Sequence, residues 1–405
     1  MGFKMALYDK NMIRVLIATP LAKNAVSGVS SYVSNLERHL IRLGFPVITI
    51  YRSLTRCKQR TKIRKFFDLI ALKKEENIYI AEALLDRIGV ELGNVDLVHA
   101  QDPFIAYLIR KLFPKTIIVQ TIHGTNLEHL LEYYSVQKGL KPIIRRISGY
   151  QYLQLNIVKH YENQGMIGAN ELIAVDGNQF VLAGAKGVPQ SKITIIHNAV
   201  DVADLLSKSK LHPVHGSNVP YFLCARRLAA KNGVTLAVRA FLEWVSQRDV
   251  HLVIAGDGVQ RNEINNLCCS NENGHKVKLL GSIDPINIPA LMKNSIATLV
   301  PSVPVGGVIE ATSFAVLESL ALGIPVIASN LGGIAEIDGG SGVVNLVSPG
   351  SVRDIANSMN QIFHIRMAGK DGNEERRRKH VLEHFDITGW IHNIIQVYYK
   401  ALNPK

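Results

Sequence analysis

A chain of 405 residues is long enough for two domains of ordinary size, and 47% hydrophobic against 20% charged residues excludes pervasive disorder. No run reaches the roughly 18 to 20 apolar residues that a membrane-spanning helix requires. The net charge of +13 is uneven: residues 1–205 hold 26 Lys and Arg against 17 Asp and Glu, so most of the excess lies in the first half.

The first residues, MGFKMALYDKNMIRVLIATP, pass from mixed charge into a strand without the apolar core and small-residue cleavage site of a secretory signal, so the chain is expected to stay cytoplasmic. Strands are predicted over 14–19, 46–51, 97–100, 116–122, 171–175 and 193–197, from short β-branched apolar runs. After the first comes SGVSSYVSNLERHL, where Ser27, Gly28 and Ser30 precede a helix. Gly28 lets backbone approach a ligand closely, and the helix start favours an anionic group. Residues 52–65 carry seven basic side chains and no acidic one, running into Ile63, Phe66, Phe67 and Ile70 at helical spacing. Such a basic amphipathic helix suits an anionic membrane surface or an anionic acceptor, and equally an ordinary solvated face. Residues 138–146 are a second hint of an acceptor-side basic region. The fourth strand ends in His123 and Gly124, the third holds His99; a lone histidine is most often packing or surface. Residues 204–220, rich in Lys and Pro, read as a linker.

A second series of strands follows over 221–225, 250–255, 277–280, 297–300, 325–328 and 343–346, with helices over 234–247, 352–365 and 390–402. CARRLAAKNGV places Arg226, Arg227 and Lys231 between a strand and a helix, where paired cations suit phosphate. HLVIAGDGVQRNE has Gly256 and Gly258 after a strand, too little for a dinucleotide fingerprint. In EATSFAVLESLALGIPVIASNLGGIAEI, Glu310 lies on a loop broken by prolines and glycines, and Ser313 is placed to cap a helix ending at Gly323 that carries Glu318. Two carboxylates there can accept from sugar hydroxyls beside a phosphate held at the helix start. They can also merely complement the helix dipole, or serve as the acid and base of a glycosidase. Cys57, Cys224, Cys268 and Cys269 show no metal or disulfide spacing.

Strand and helix alternate throughout, which predicts an α/β protein with two doubly wound parallel sheets facing a cleft. The expected domains are 1–204 and 205–385, with a closing helix in 386–405.

The long motif resembles the E-x7-E signature of retaining GT-B glycosyltransferases of the family 4 type. The matching residues are Glu310, Ser313, Leu317, Glu318, Ala321, Gly323, Pro325, Val326, Ala328, Gly332, Gly333 and Glu336. CARRLAAKNGV resembles the same family's R-L-x-x-x-K-G motif, with Asn232 where lysine is usual if Arg227 is the motif arginine; aligning Arg226 restores the spacing to Lys231. Arg227 and Lys231 are the preferred pair, with Arg226 as substitute. Ser27 takes the place of the first glycine of the family's usual Gly-Gly.

The resemblance implies a GT-B fold of two Rossmann-like domains, the last helix packing back on the first. It implies a retaining hexosyltransferase using a nucleotide-diphosphate sugar and a hydroxyl acceptor, whether glycan, lipid-linked or small molecule, in polysaccharide or other glycoconjugate synthesis. His123 and Glu310 would be catalytic. Gly28, Arg227, Lys231, Ser282, Ile283, Ser313, Phe314, Ala315 and Glu318 would bind the donor, with Ser282 and Ile283 meeting the base mainly through backbone and Glu318 the ribose. No two aspartates stand two positions apart, so the D-x-D metal motif of the other major glycosyltransferase fold is missing. No metal, cofactor or nucleic acid is expected, and attachment would be at most peripheral, on the inner face of the cytoplasmic membrane. The rival readings are a GT-B epimerase, a glycosidase, and a catalytically silent nucleotide-sugar binder or membrane scaffold.

Overall fold

The computed structural model describes residues 12–21, 23, 27–51, 87–124, 150–211 and 219–404. The basic segments at 52–65 and 138–146, and Cys57, lie outside them. Among the described residues twelve strands form two six-stranded sheets, and every strand pairing is parallel. The first sheet has β1 (Val15–Ala18), β2 (Val47–Ile50), β3 (Leu97–Ala100), β4 (Ile118–Ile122), β5 (Glu171–Ala174) and β6 (Ile193–Ile195) in the order 2-1-3-4-5-6. The second has β7 (Tyr221–Cys224), β8 (His251–Ala255), β9 (Val277–Gly281), β10 (Thr298–Val300), β11 (Val326–Ser329) and β12 (Asn345–Val347) in the order 12-11-10-7-8-9. Each strand expected from the apolar runs is present.

These runs are apolar at consecutive positions because both faces of each sheet are covered. Over one face of the first sheet lie Tyr32, Leu36 and Leu40 of helix Gly28–Arg42 with Trp390, Ile391, Ile394, Ile395 and Tyr398 of helix Ile387–Leu402; the other face meets helix Pro103–Leu112. The second sheet is likewise enclosed by two apolar clusters.

The chain passes between the two cores twice, side by side. Ala199 belongs to the first core and Val200 to the second; Phe385 belongs to the second and Ile387 to the first. Val200 and Asp386 form a parallel bridge, with Val200 N donating to Phe385 O and Ile387 N donating to Val200 O. The first crossing thus falls a few residues ahead of the expected change at 204/205. Part of the expected linker is a helix, Val202–Lys208, because Asp201 caps it and Val202 and Leu205 bury in the second core.

The order of strands decides where a ligand can sit. A doubly wound sheet opens a crevice where successive crossovers leave in opposite directions, at the carboxyl ends of two neighbouring strands. In the second sheet that point lies between β7 and β10, and in the first between β1 and β3.

Candidate active site

The loops after β7 and β10 are knitted together. Gly233 ends the first of them at φ 63°, and a Cβ on it would lie 1.8 Å from Pro301 O, so only glycine fits. Val303 N donates to Lys231 O at 2.9 Å. The loop after β8 props this arrangement from the far side, Leu228 N donating to Asp257 O, with Gly256 so close that a Cβ would lie 1.9 Å from Arg226 O.

On this frame Arg226 meets Glu310. Its Nη2 donates to Glu310 Oε1 at 2.8 Å and to Asn232 Oδ1 at 2.9 Å, and the two side chains are only 8% and 17% exposed. Its Nη1 is buried and has no hydrogen-bond partner among the described residues. Arg227 is exposed; its carbonyl accepts from Asn232 Nδ2 at 2.8 Å. An unpaired guanidinium nitrogen in a buried ion pair is costly unless something else completes it.

Glu318 lies on helix Phe314–Ala321, where burial pushes its carboxyl up to about 7 against the opposing pull of the Lys208 ammonium. Ser313 occupies the cap position, but its hydroxyl accepts no hydrogen bond from the helix. The expected side-chain cap is therefore missing, and the first-turn N–H groups are not taken up by it. Ser282 and Ile283 follow β9 on the same carboxyl edge, the first exposed and the second packed against the second core, as Phe314 and Ala315 also are.

Across the cleft, His123 follows β4, packs edge-on against the Tyr32 ring at 4.5 Å between centroids, and bonds through Nε2 to Gln101 Oε1 at 2.9 Å. Burial pushes the His123 imidazole down to about 3, so it is neutral at pH 7. Under it runs an uncharged buried chain: Tyr398 OH to His99 Nδ1 at 2.7 Å, His99 Nε2 to Thr121 Oγ1 at 2.7 Å, and Thr121 Oγ1 to Tyr32 OH at 3.1 Å. His99 is fully buried in this chain and is held down to about 3 by burial, with His123 adding to the effect. It is a core histidine.

The two walls touch. The Phe314 ring lies 3.4 Å from the place a Cβ on Gly28 would occupy, and Phe314 packs against both cores. Ser27 caps helix Gly28–Arg42, its Oγ accepting from Ser30 N, which accounts locally for serine at that position. Further along, Glu336 of helix Gly332–Asp338 accepts from Gly177 N with both oxygens at 3.0 Å and pairs with His197 Nε2 at 2.7 Å. Thr312 adds two contacts: its carbonyl accepts from Asn198 Nδ2, and its hydroxyl donates to Val175 O. Gly332, at φ 51°, and Gly333 make this possible, since a Cβ on either would lie within 2.4 Å of the Glu310–Thr312 backbone.

Two family models match this chain in succession, Glycosyltransferase Family 4 over residues 26–204 and Glycosyl transferases group 1 over residues 207–380. The chain belongs to the group 1 glycosyltransferases. An uncharacterized glycosyltransferase of Methanocaldococcus jannaschii is 24% identical over 271 residues, 64% of either chain, so the match spans somewhat less than two thirds of that relative. Among solved structures, a glycosyltransferase from Rickettsia africae has a TM-score of 0.68 at 20% identity, covering 98% of this chain and 100% of that one. HepE from Anabaena in complex with UDP-glucose also has a TM-score of 0.68, at 15% identity, covering 96% and 100%. These likenesses establish the two-domain GT-B fold.

Within the group 1 pattern, the structure brings Arg226 to Glu310 and leaves Arg227 outside. Lys231 stands at the motif lysine position once Arg226 is the motif arginine, and Asn232 ties the two arginines together. The sequence reading missed Gln101, Tyr32, Tyr398 and the clasp made by Glu336. The one available signal was position: Gln101 and His123 both stand directly beyond strand ends. Among the described residues no three His, Cys, Asp or Glu side chains group as metal ligands, no helix is long and apolar enough to cross a membrane, and Cys224, Cys268 and Cys269 are free thiols.

Proposed function

We propose that this chain is a retaining, metal-independent glycosyltransferase that moves a hexosyl group from a nucleoside diphosphate sugar to a hydroxyl acceptor in glycoconjugate or polysaccharide assembly. The observation that carries this is the Arg226–Glu310 pair at the switch point of the second sheet, with one guanidinium nitrogen buried and unpaired. A diphosphate oxygen supplies the missing acceptor, while Glu310 accepts hydrogen bonds from hydroxyls of the donor sugar. Arg226 replaces Arg227 as the first cation, with Lys231 as the second; the first turn of helix Phe314–Ala321 offers the N–H groups of Phe314 and Ala315 beside Ser313. Glu318 accepts from the ribose, Ser282 and Ile283 border the base, and Gly28 and His123 approach from the other wall.

In the reaction the bond from the anomeric carbon to the phosphate oxygen breaks and the bond to the acceptor oxygen forms on the same face. The acceptor proton passes to the departing diphosphate, whose charge Arg226, Lys231 and the helix start stabilise without a metal. HepE bound to UDP-glucose supports a donor of this class. Neutral His123 suits contact with an uncharged sugar.

Thermal shift against a panel of nucleoside diphosphate sugars identifies the donor, since a ligand that binds the native state raises the melting temperature. With that donor, nucleoside diphosphate release is expected only when an acceptor is present, undiminished in EDTA, and the product keeps the donor's anomeric configuration by NMR. An inverted product, or loss in EDTA restored by magnesium, overturns the corresponding part of the proposal.

A further inference from the structure

Gln101 and His123 stand at the carboxyl ends of neighbouring strands, β3 and β4, and their side chains meet there. A neutral imidazole has one N–H, and which nitrogen carries it is set by the group bonded to the other. Gln101 Oε1 can only accept, so the hydrogen on the 2.9 Å contact belongs to His123 Nε2. Nδ1 then holds a lone pair with no protein donor among the described residues. The ring cannot turn to exchange the two nitrogens freely, because Tyr32 packs edge-on against it at an interplanar angle of 80° and is itself tied through Thr121 to His99. Gln101 is only 4% exposed, and its Nε2 is buried without a partner. A residue placed for stability alone would be apolar here or paired at both ends, since a buried unpaired amide is costly.

We propose that Gln101 is a positioning residue that holds His123 in the Nε2-protonated tautomer, so that Nδ1 accepts a hydrogen bond from a hydroxyl of the donor sugar. This rests on the placing of His123 at the donor in the function proposed above. Its consequence is a directional specificity. The sugar must present a hydroxyl that donates, so a deoxy sugar and a fluoro sugar at that position lose turnover equally, although fluorine could still accept.

The test is a two-bond 1H–15N spectrum of the full chain labelled at histidine, with the His123 signals assigned by their loss in His123→Gln. At pH 7 the wild-type spectrum is expected to show Nδ1 unprotonated and Nε2 protonated. In Gln101→Met the two tautomers should mix, and kcat should fall about tenfold with KM for the donor changed less than about threefold. Protonated Nδ1 in the wild type overturns the proposal, because Gln101 then presents its amide nitrogen; so does an unchanged tautomer in Gln101→Met. Full turnover in His123→Gln overturns the use made of the lone pair and identifies the fault as the donor assignment of His123, whatever the tautomer.

Discussion

Beyond β7 and β10 the second sheet presents charge: Arg226 on Glu310, Lys231 on the same loop, and Glu318 on the adjoining helix. Beyond β3 and β4, among the described residues, the first sheet sets the uncharged pair His123 and Gln101 over a buried chain of two tyrosines, a threonine and a second neutral histidine, while the Asp102 carboxylate caps helix Pro103–Leu112. In the function proposed above, the difference follows from what each wall would hold. A diphosphate needs fixed cations, and cations held in a half-buried loop need carboxylates to keep them there in the free protein. A sugar hydroxyl needs directed lone pairs and N–H groups, which stay constant with pH when burial keeps the imidazole neutral.

The sharpest way to break this contrast is at Arg226. Arg226→Ala should lower kcat/KM by about 10²–10³-fold, while Arg227→Ala should change it less than about threefold. Steady-state kinetics with both variants decides, and the reverse ranking would place the charged wall on the wrong arginine. Glu310→Ala should be comparably severe, with the chain still folded by circular dichroism.

A smaller loss is expected on the neutral wall. His123→Ala should reduce kcat by about 10- to 100-fold. Because the His123 imidazole is pushed down to about 3, the rate of the wild-type enzyme should show no limb near pH 6.5 that disappears in His123→Ala. Such a limb would mean the wall is charged after all.

The charged wall also has a thermodynamic signature. A carboxyl raised from 4.5 to about 7 keeps its proton over a range in which the unfolded chain has lost it. Stability from Glu318 is therefore fully present below about pH 4.5, falls as pH rises to about 7, and is flat above. Glu318→Gln should be more stable than wild type at pH 8 by on the order of 2 kcal/mol and no more stable at pH 4.5, read from denaturant melts. Equal stability at both values would show that Glu318 is not strained by burial.

The smallest effect tests what joins the walls. Glu336→Gln keeps the shape but weakens the bonds to Gly177 N and His197, and should cost about 1 kcal/mol, a few degrees or less in melting temperature. A larger loss would make this clasp, rather than the apolar contact of Phe314 with Gly28, the main tie beside the cleft.

Much of this was legible in the chain. The short, mostly apolar runs announced the twelve described strands, since a strand buried on both faces favours apolar residues and admits a polar one such as His99 or Thr121 only where it is hydrogen-bonded. Glu310, Glu318 and the glycines at 233, 332 and 333 stood in a recognisable pattern, although what requires glycine at these three positions is main chain that the fold brings there, that of Pro301 and of residues 310–312. Ser313 was legible as a helix start but not as a hydroxyl that makes no cap. The clasp at Glu336 was not legible at all, because its partners Gly177 and His197 lie 159 and 139 residues away and nothing near any of them announces the others.

Arg226 and Arg227 mark the boundary between the two kinds of knowledge. Local patterning was enough to place two cations between an apolar strand and a helix, because the strand, the turn and the glycine that ends it are properties of a few neighbouring residues. It could not say which cation faces the carboxylate, since successive residues leaving a strand point to opposite sides. That choice was made by packing: Glu310, 84 residues further along, is held against one side by Gly332 and Gly333, and the side chain on that side is Arg226.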